Sequence, residues 1–274
     1  MRLIVMIAIS LATIYISSQY IYAETLESYT NSTAPDSLTV SGSILPSVDL
    51  RKYYTVLPGD ENWINQESFY DKIQTLQISN SVIHTISDKE LLDLCLFNPT
   101  VPMIFAFENP TDGLKILLNF NSYNEILNRK SSYPIILDKY IHCDYQQLKS
   151  IKTSKDSSLV FECRLAFIVN RYLLTKDEVI EGIQNSVLIE AISKSIIEYQ
   201  QLENEKTDFL VTLTKQFDCY VMYKIMVKMK YEPLITDEEL NQDSYIPDKD
   251  IRCIGNNEMT SISQHAQNFL KEIK

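Results

Sequence analysis

The sequence predicts an α/β fold, with a mixed sheet flanked by helices over residues 60–190 and an all-α C-terminal region over 191–274. Three observations carry that expectation. Short apolar runs of strand length alternate with helix-period segments between 81 and 185. Capping signatures, Ser87 with Glu90 and Thr175 with Glu178, open two of the helical segments. Beyond Ile192 the strand-length runs cease and the apolar spacing is helical throughout.

Residues 1–23 have the three regions of a secretory signal peptide: Met1 and Arg2, an apolar stretch over 3–16, and a polar segment closing on Ala23. Ser10, Thr13, Ser17, Ser18 and Gln19 make it a poor permanent anchor, so cleavage after Ala23 is expected. The mature chain is then expected in the secretory pathway, in the endoplasmic reticulum lumen or outside the cell, with no membrane association after cleavage. Cleavage removes Arg2, the only charge in the leader, and takes the formal net charge from −11 to −12. Residues 24–59 are Ser- and Thr-rich, carry Pro35, Pro46 and Pro58, and show no sustained period, as expected of a flexible leader. Asn31 opens an N-glycosylation sequon, Asn31-Ser32-Thr33, in that stretch.

The elements that follow are justified in turn. Asp60 is placed to cap a helix through Trp63, Ile64, Phe69, Ile73 and Leu76, whose spacing gives one apolar face. Residues 82–86 alternate like a strand, and the Ser87/Glu90 box opens a helix with Leu91, Leu92, Leu94 and Leu96 that ends at Asn98-Pro99. Residues 101–107, Val-Pro-Met-Ile-Phe-Ala-Phe, read as a buried central strand. A helix is expected over 114–128, although 116–118 also fits a hairpin strand. Residues 134–136 and 139–144 read as a strand, 146–151 as a short helix, and 158–161 and 166–169 as two further strands. Thr175 then opens a helix through Val179, Ile180, Ile183, Val187 and Ala191. In the tail, helices are expected through Ile196, Tyr199 and Leu202, through 210–229 up to Pro233, from Thr236, and over 259–273.

The resulting order, β, α, β, α, β, α, β, β, α over 81–185, resembles a thioredoxin-like domain of the protein disulfide isomerase family. Leu174-Thr-Lys-Asp-Glu178 is similar to the start of that family's final helix, and the tail around 220–228 resembles the helical C-terminal domain of redox-inactive lumenal relatives. The resemblance implies degenerate redox-loop positions. Pro110, Thr111, Asp112 and Gly113 stand where the family places C-x-x-C, and Ser157 and Ser158 stand where it carries a cis-proline. It therefore implies chaperone-like binding of client or partner polypeptides and no thiol exchange, which needs an activated thiolate and a resolving partner. The terminal Lys271-Glu-Ile-Lys274 departs from a K-D-E-L retention signal at its last position.

The chemistry-bearing residues point the same way. Cys95, Cys143, Cys163, Cys219 and Cys253 form no C-x-x-C; they are either two disulfides with one thiol left over or buried thiols packed as small apolar side chains. His84, His142 and His265 are scattered, so neither a metal nor any other cofactor is expected. Five glycines, none in G-x-S-x-G, G-x-G-x-x-G or a P-loop, weigh against a nucleophile elbow or a phosphate cradle, and the chain is expected not to be an enzyme. An acidic chain without clustered Lys and Arg is a poor match for nucleic acid. A candidate partner-binding face comprises Tyr220, Met222, Tyr223, Met226 and Met229, since thioethers repack against varied partners; the same spacing also suits a core. A secreted coat, wall or matrix component is the alternative function.

Overall fold

The computed structural model describes residues 48–66, 68–107, 110–150, 157–205, 208–237, 240 and 254–273, and among them there is helix and no strand. The helices are α1 (Glu61–Ile64), α2 (Phe69–Thr75), α3 (Asn80–Ile83), α4 (Asp88–Leu96), α5 (Pro110–Leu117), α6 (Asn121–Asn128) and α7 (Tyr133–His142). They continue as α8 (Tyr145–Ser150), α9 (Ser157–Leu174), α10 (Asp177–Gly182), α11 (Asn185–Glu203), α12 (Phe209–Lys228), α13 (Glu232–Ile235) and α14 (Asn256–Glu272). Three short 3-10 turns, Leu50–Lys52, Val101–Ala106 and Lys130–Ser132, complete the described chain.

This overturns the expected α/β sheet, and with it the thioredoxin-like domain and the likeness to the disulfide isomerase family. Each misread segment has a local cause. Residues 101–107 begin with an Asx turn: Asn98 Oδ1 accepts from Thr100 N at 2.9 Å and from Thr100 Oγ1 at 2.6 Å, which launches the 3-10 turn instead of a strand. Residues 133–142 form α7 because Pro134 sits in its first turn, where a missing N–H is unused and φ is already helical. The two strands expected at 158–161 and 166–169 are one helix, α9, whose residues 165–174 are all buried. A helix buried on every side loses the polar face that marks its period, and its Ile, Val and Phe content then mimics a core strand. Residues 82–86 end α3 and turn directly into the cap of α4.

Two compact units are present. Unit 1 takes the described residues of 48–126 and 157–166, and unit 2 those of 127–150 and 167–273. The expected boundary at 190/191 falls inside α11. Residues 1–47, with the expected signal peptide, most of the leader and Asn31, lie outside the described residues.

The core of unit 1 is the run 91–100 along α4 and its exit, all of it buried, with Trp63, Leu114, Phe120, Tyr123 and Ile126. Ser87 caps α4 as expected, its Oγ accepting from Glu90 N. Asp60 is the N-cap residue of α1, but its carboxylate serves elsewhere: it takes two hydrogen bonds from Arg51, at 2.6 and 2.8 Å, and one from Leu57 N at 2.7 Å. Those bonds pin a segment assigned to the leader, in which Val48, Tyr54 and Leu57 are buried. Side-chain amides join the α2–α3 link to the α5–α6 link. Gln77 donates to Asn119 O and accepts from Asn121 N, while Asn121 accepts from Ile78 N and donates to Ile78 O. Backbone groups between these short helices are thereby satisfied without a sheet.

In unit 2, α12 is the central element, packed by α10, α11, α13 and α14, and 13 of its 20 residues are buried. It ends in a Schellman turn: Tyr231 N donates to Met226 O, Lys230 N donates to Val227 O, and Lys230 takes the left-handed conformation at φ 57°. The Lys228 ammonium spans to the end of α10, donating to Ile180 O at 2.6 Å and Ile183 O at 2.6 Å, where helix carbonyls otherwise lack donors.

Candidate functional site

The most concentrated chemistry in the described chain is an ionic cluster inside unit 2. Arg171 of α9, Glu198 of α11, Asp218 of α12, Tyr140 of α7 and Ser195 of α11 are each 0 % exposed. Arg171 reaches both acids: Nε donates to Asp218 Oδ1 at 2.8 Å and Nη2 donates to Glu198 Oε2, while Nη1 donates to Phe167 O at 3.2 Å. Its guanidinium also lies over the Phe167 and Tyr140 rings. Tyr140 donates to Asp218 Oδ1 at 3.1 Å and shares a hydrogen bond with Ser195 Oγ. Glu198 Oε1 accepts from Tyr145 N at 3.0 Å, which caps α8, and from Lys194 Nζ at 2.7 Å. Five helices are tied together by this cluster.

Burial shapes its electrostatics. Burial works against the Arg171 charge, but Asp218 and Glu198 outweigh it and hold the guanidinium firmly protonated. Burial pushes the Asp218 carboxyl up to about 7, against the pull of Arg171, and Glu198 adds to the rise. Burial likewise raises the Tyr140 phenol well above its ordinary value, keeping it neutral. The cluster is therefore a clasp between helices whose charged atoms are sealed from solvent.

Sequence reasoning passed over all five residues, though a signal was present. Arg171 stands inside the apolar run 165–174 and Asp218 inside 217–223, and a charge that interrupts a fully apolar helix is one that must find a buried partner. The positions singled out instead are dispersed. Pro110, Thr111, Asp112 and Gly113 are the opening residues of α5, with Asp112 exposed and paired to Lys115 at 3.3 Å, and Ser157 and Ser158 open α9. None borders a redox loop. Met222 and Met226 are 0 % exposed and Tyr220 and Tyr223 are buried, with Met229 half-buried at the C-cap of α12. That face is core, as the alternative reading of its spacing had it.

Cys95, Cys143, Cys163 and Cys219 are buried thiols without disulfides; Cys253 lies outside the described residues. Burial pushes the Cys143 thiol up to about 11 and raises Cys95 and Cys219 further, so these thiols stay protonated. Among the described residues no group of three or more His, Cys, Asp or Glu is placed to hold a metal, and no helix is long and apolar enough to cross a membrane. Comparisons with protein-family models, with curated proteins and with solved structures find no match to this chain.

Proposed function

We propose that the chain is a non-catalytic protein of the secretory pathway or cell exterior that acts by binding partner polypeptides through the surfaces of its helices. The observation that carries this reading is where its reactive groups sit. The four described thiols and the Arg171, Glu198 and Asp218 charges are all buried, and the charges are engaged in holding helices together. Groups placed this way serve the fold, which leaves function to the surface. The leader pattern of residues 1–23 supports the compartment. With Met222 and Met226 in the core, the contact surface falls to outward apolar side chains such as Ile197 of α11 and Phe209 of α12, 53 % and 54 % exposed.

The experiment is expression of the full chain in secreting cells, with a photo-crosslinking residue at Ile197 or Phe209. The expected products are a mature chain beginning at Glu24 and discrete adducts with a different polypeptide. A ladder of self-adducts would favour the coat or matrix alternative. Retention of the intact leader on a cytosolic chain would overturn the compartment assignment.

A further inference from the structure

We infer that Asp218 is a proton-binding site: in the folded protein its Oδ2 takes up one proton as the surroundings pass from mildly alkaline to mildly acidic, and unit 2 is strengthened by the uptake. The inference starts from an asymmetry between two carboxylates that share one guanidinium. Glu198 uses both oxygens, with Arg171 on Oε2 and with Lys194 and the Tyr145 amide on Oε1. Asp218 uses one. Oδ1 accepts from Arg171 Nε and Tyr140, whereas Oδ2 is buried and has no hydrogen-bond partner among the described residues. A proton added at Oδ2 therefore breaks no bond of the clasp.

The charge balance points to the same oxygen. In the part sealed from solvent, one cation, Arg171, faces two carboxylates, while Lys194, whose side chain is 13 % exposed, pairs with Glu198. Two carboxylates in one dry site repel, and the one with fewer donors takes the proton. The groups facing Asp218 are Arg171 from α9, Glu198 and Lys194 from α11, Tyr140 from α7, and Cys219 beside it on α12. Of the other helices packed on α12, α14 brings the Met259 carbonyl to the Cys219 thiol, and α10 brings Asp177 to Lys224 and its end carbonyls to Lys228. Tyr140 and Cys219 are held neutral by burial, so Asp218 is left as the acceptor.

The direction of the linkage follows. The folded-state affinity of Asp218 for a proton lies above its ordinary value of 3.8, so between that value and neutrality the folded state is protonated there and the unfolded state is not. The contribution to stability is present in mild acid and is lost as pH rises through neutrality.

The test compares urea unfolding of the full mature chain with that of Asp218→Asn, whose neutral amide imitates the protonated acid, at intervals from pH 8 to pH 5. Other titrating groups are common to both and cancel in the ratio of folding constants. That ratio, wild type over variant, is expected to rise about tenfold per pH unit once the pH falls below neutrality. A flat ratio would overturn the inference. If the variant does not fold, infrared spectra of the wild type with and without carboxyl-labelled aspartate decide. A protonated aspartic acid C=O band at pH 6 that disappears by pH 9 is expected, and its absence at pH 5.5 would sink the proposal.

Discussion

Arg171 Nε donates to Asp218 Oδ1 at 2.8 Å, with neither side chain reaching solvent. Removing the cation leaves two buried carboxylates without their shared donor, which typically costs about 3–5 kcal/mol. Arg171→Met is expected to lose that much in urea unfolding at pH 8. Arg171→Lys is expected to recover little, because one ammonium cannot span both acids as the guanidinium fork does. A loss below about 1 kcal/mol for the Met variant would mean that the clasp contributes no net stability.

Gly182 ends α10 against the edge of the Tyr133 ring, and a Cβ there would lie 2.4 Å from the ring Cδ2 and 2.5 Å from Cε2. The ring is buried and cannot swing away freely, since its hydroxyl donates to Leu127 O at 2.7 Å. Gly182→Ala should destabilise by about 1–3 kcal/mol, as overpacking does. Pairing it with Tyr133→Ala tests the cause: the second change should relieve part of the cost of the first, and strict additivity would refute the clash.

Lys230 is in the left-handed region at φ 57° in the turn after α12, a conformation that a side chain disfavours and glycine does not. Lys230→Gly is expected to raise stability by about 0.5–1 kcal/mol, read as a higher thermal midpoint. An unchanged or lowered midpoint would show that the lysine side chain contributes more than its backbone strain costs.

Thiol accessibility checks the cysteines directly. In a Cys253→Ser variant, Cys95, Cys143, Cys163 and Cys219 should resist an aromatic disulfide reagent in the native state and all react in denaturant, because they are buried and unbridged. Rapid native labelling would contradict their burial, and a deficit of thiols in denaturant would reveal disulfides.

The fold was legible where two independent local signals coincided. Ser87 with Glu90, followed by Leu91, Leu92 and Leu94, marks both the cap and the buried face of α4, and the structure has each. The helices expected over 210–229 and 259–273 were legible too, as α12 and α14, while the one expected from Thr236 lies mostly outside the described residues. The failures fall where burial on all sides erases that period, as at Leu165 to Val169 in α9, and where Ile and Val supply strand-like content to helices held by tertiary packing. Met222 and Met226 were left open between a binding face and a core for a related reason. Apolar spacing at 3.6 residues identifies a face but not what covers it, and in α12 the covered residues include Met222 and Met226. The clasp was hidden because its partners come from α7, α9, α11 and α12, separated by 27 to 78 positions along the chain.

The assignment of α9, its residues 157–166 to unit 1 and 167–174 to unit 2, makes the two units interleaved in sequence, since 127–150 already belongs to unit 2. No single cut isolates either unit. A ribosome releasing the chain from its N-terminus must hold 48–126 incomplete while 127–150 emerges, and can finish unit 1 only once 157–166 has followed. A protease nicking between the two segments of unit 1 would divide both bodies at once, and a lineage could not have acquired one of them by fusing a ready-made partner to the end of the other.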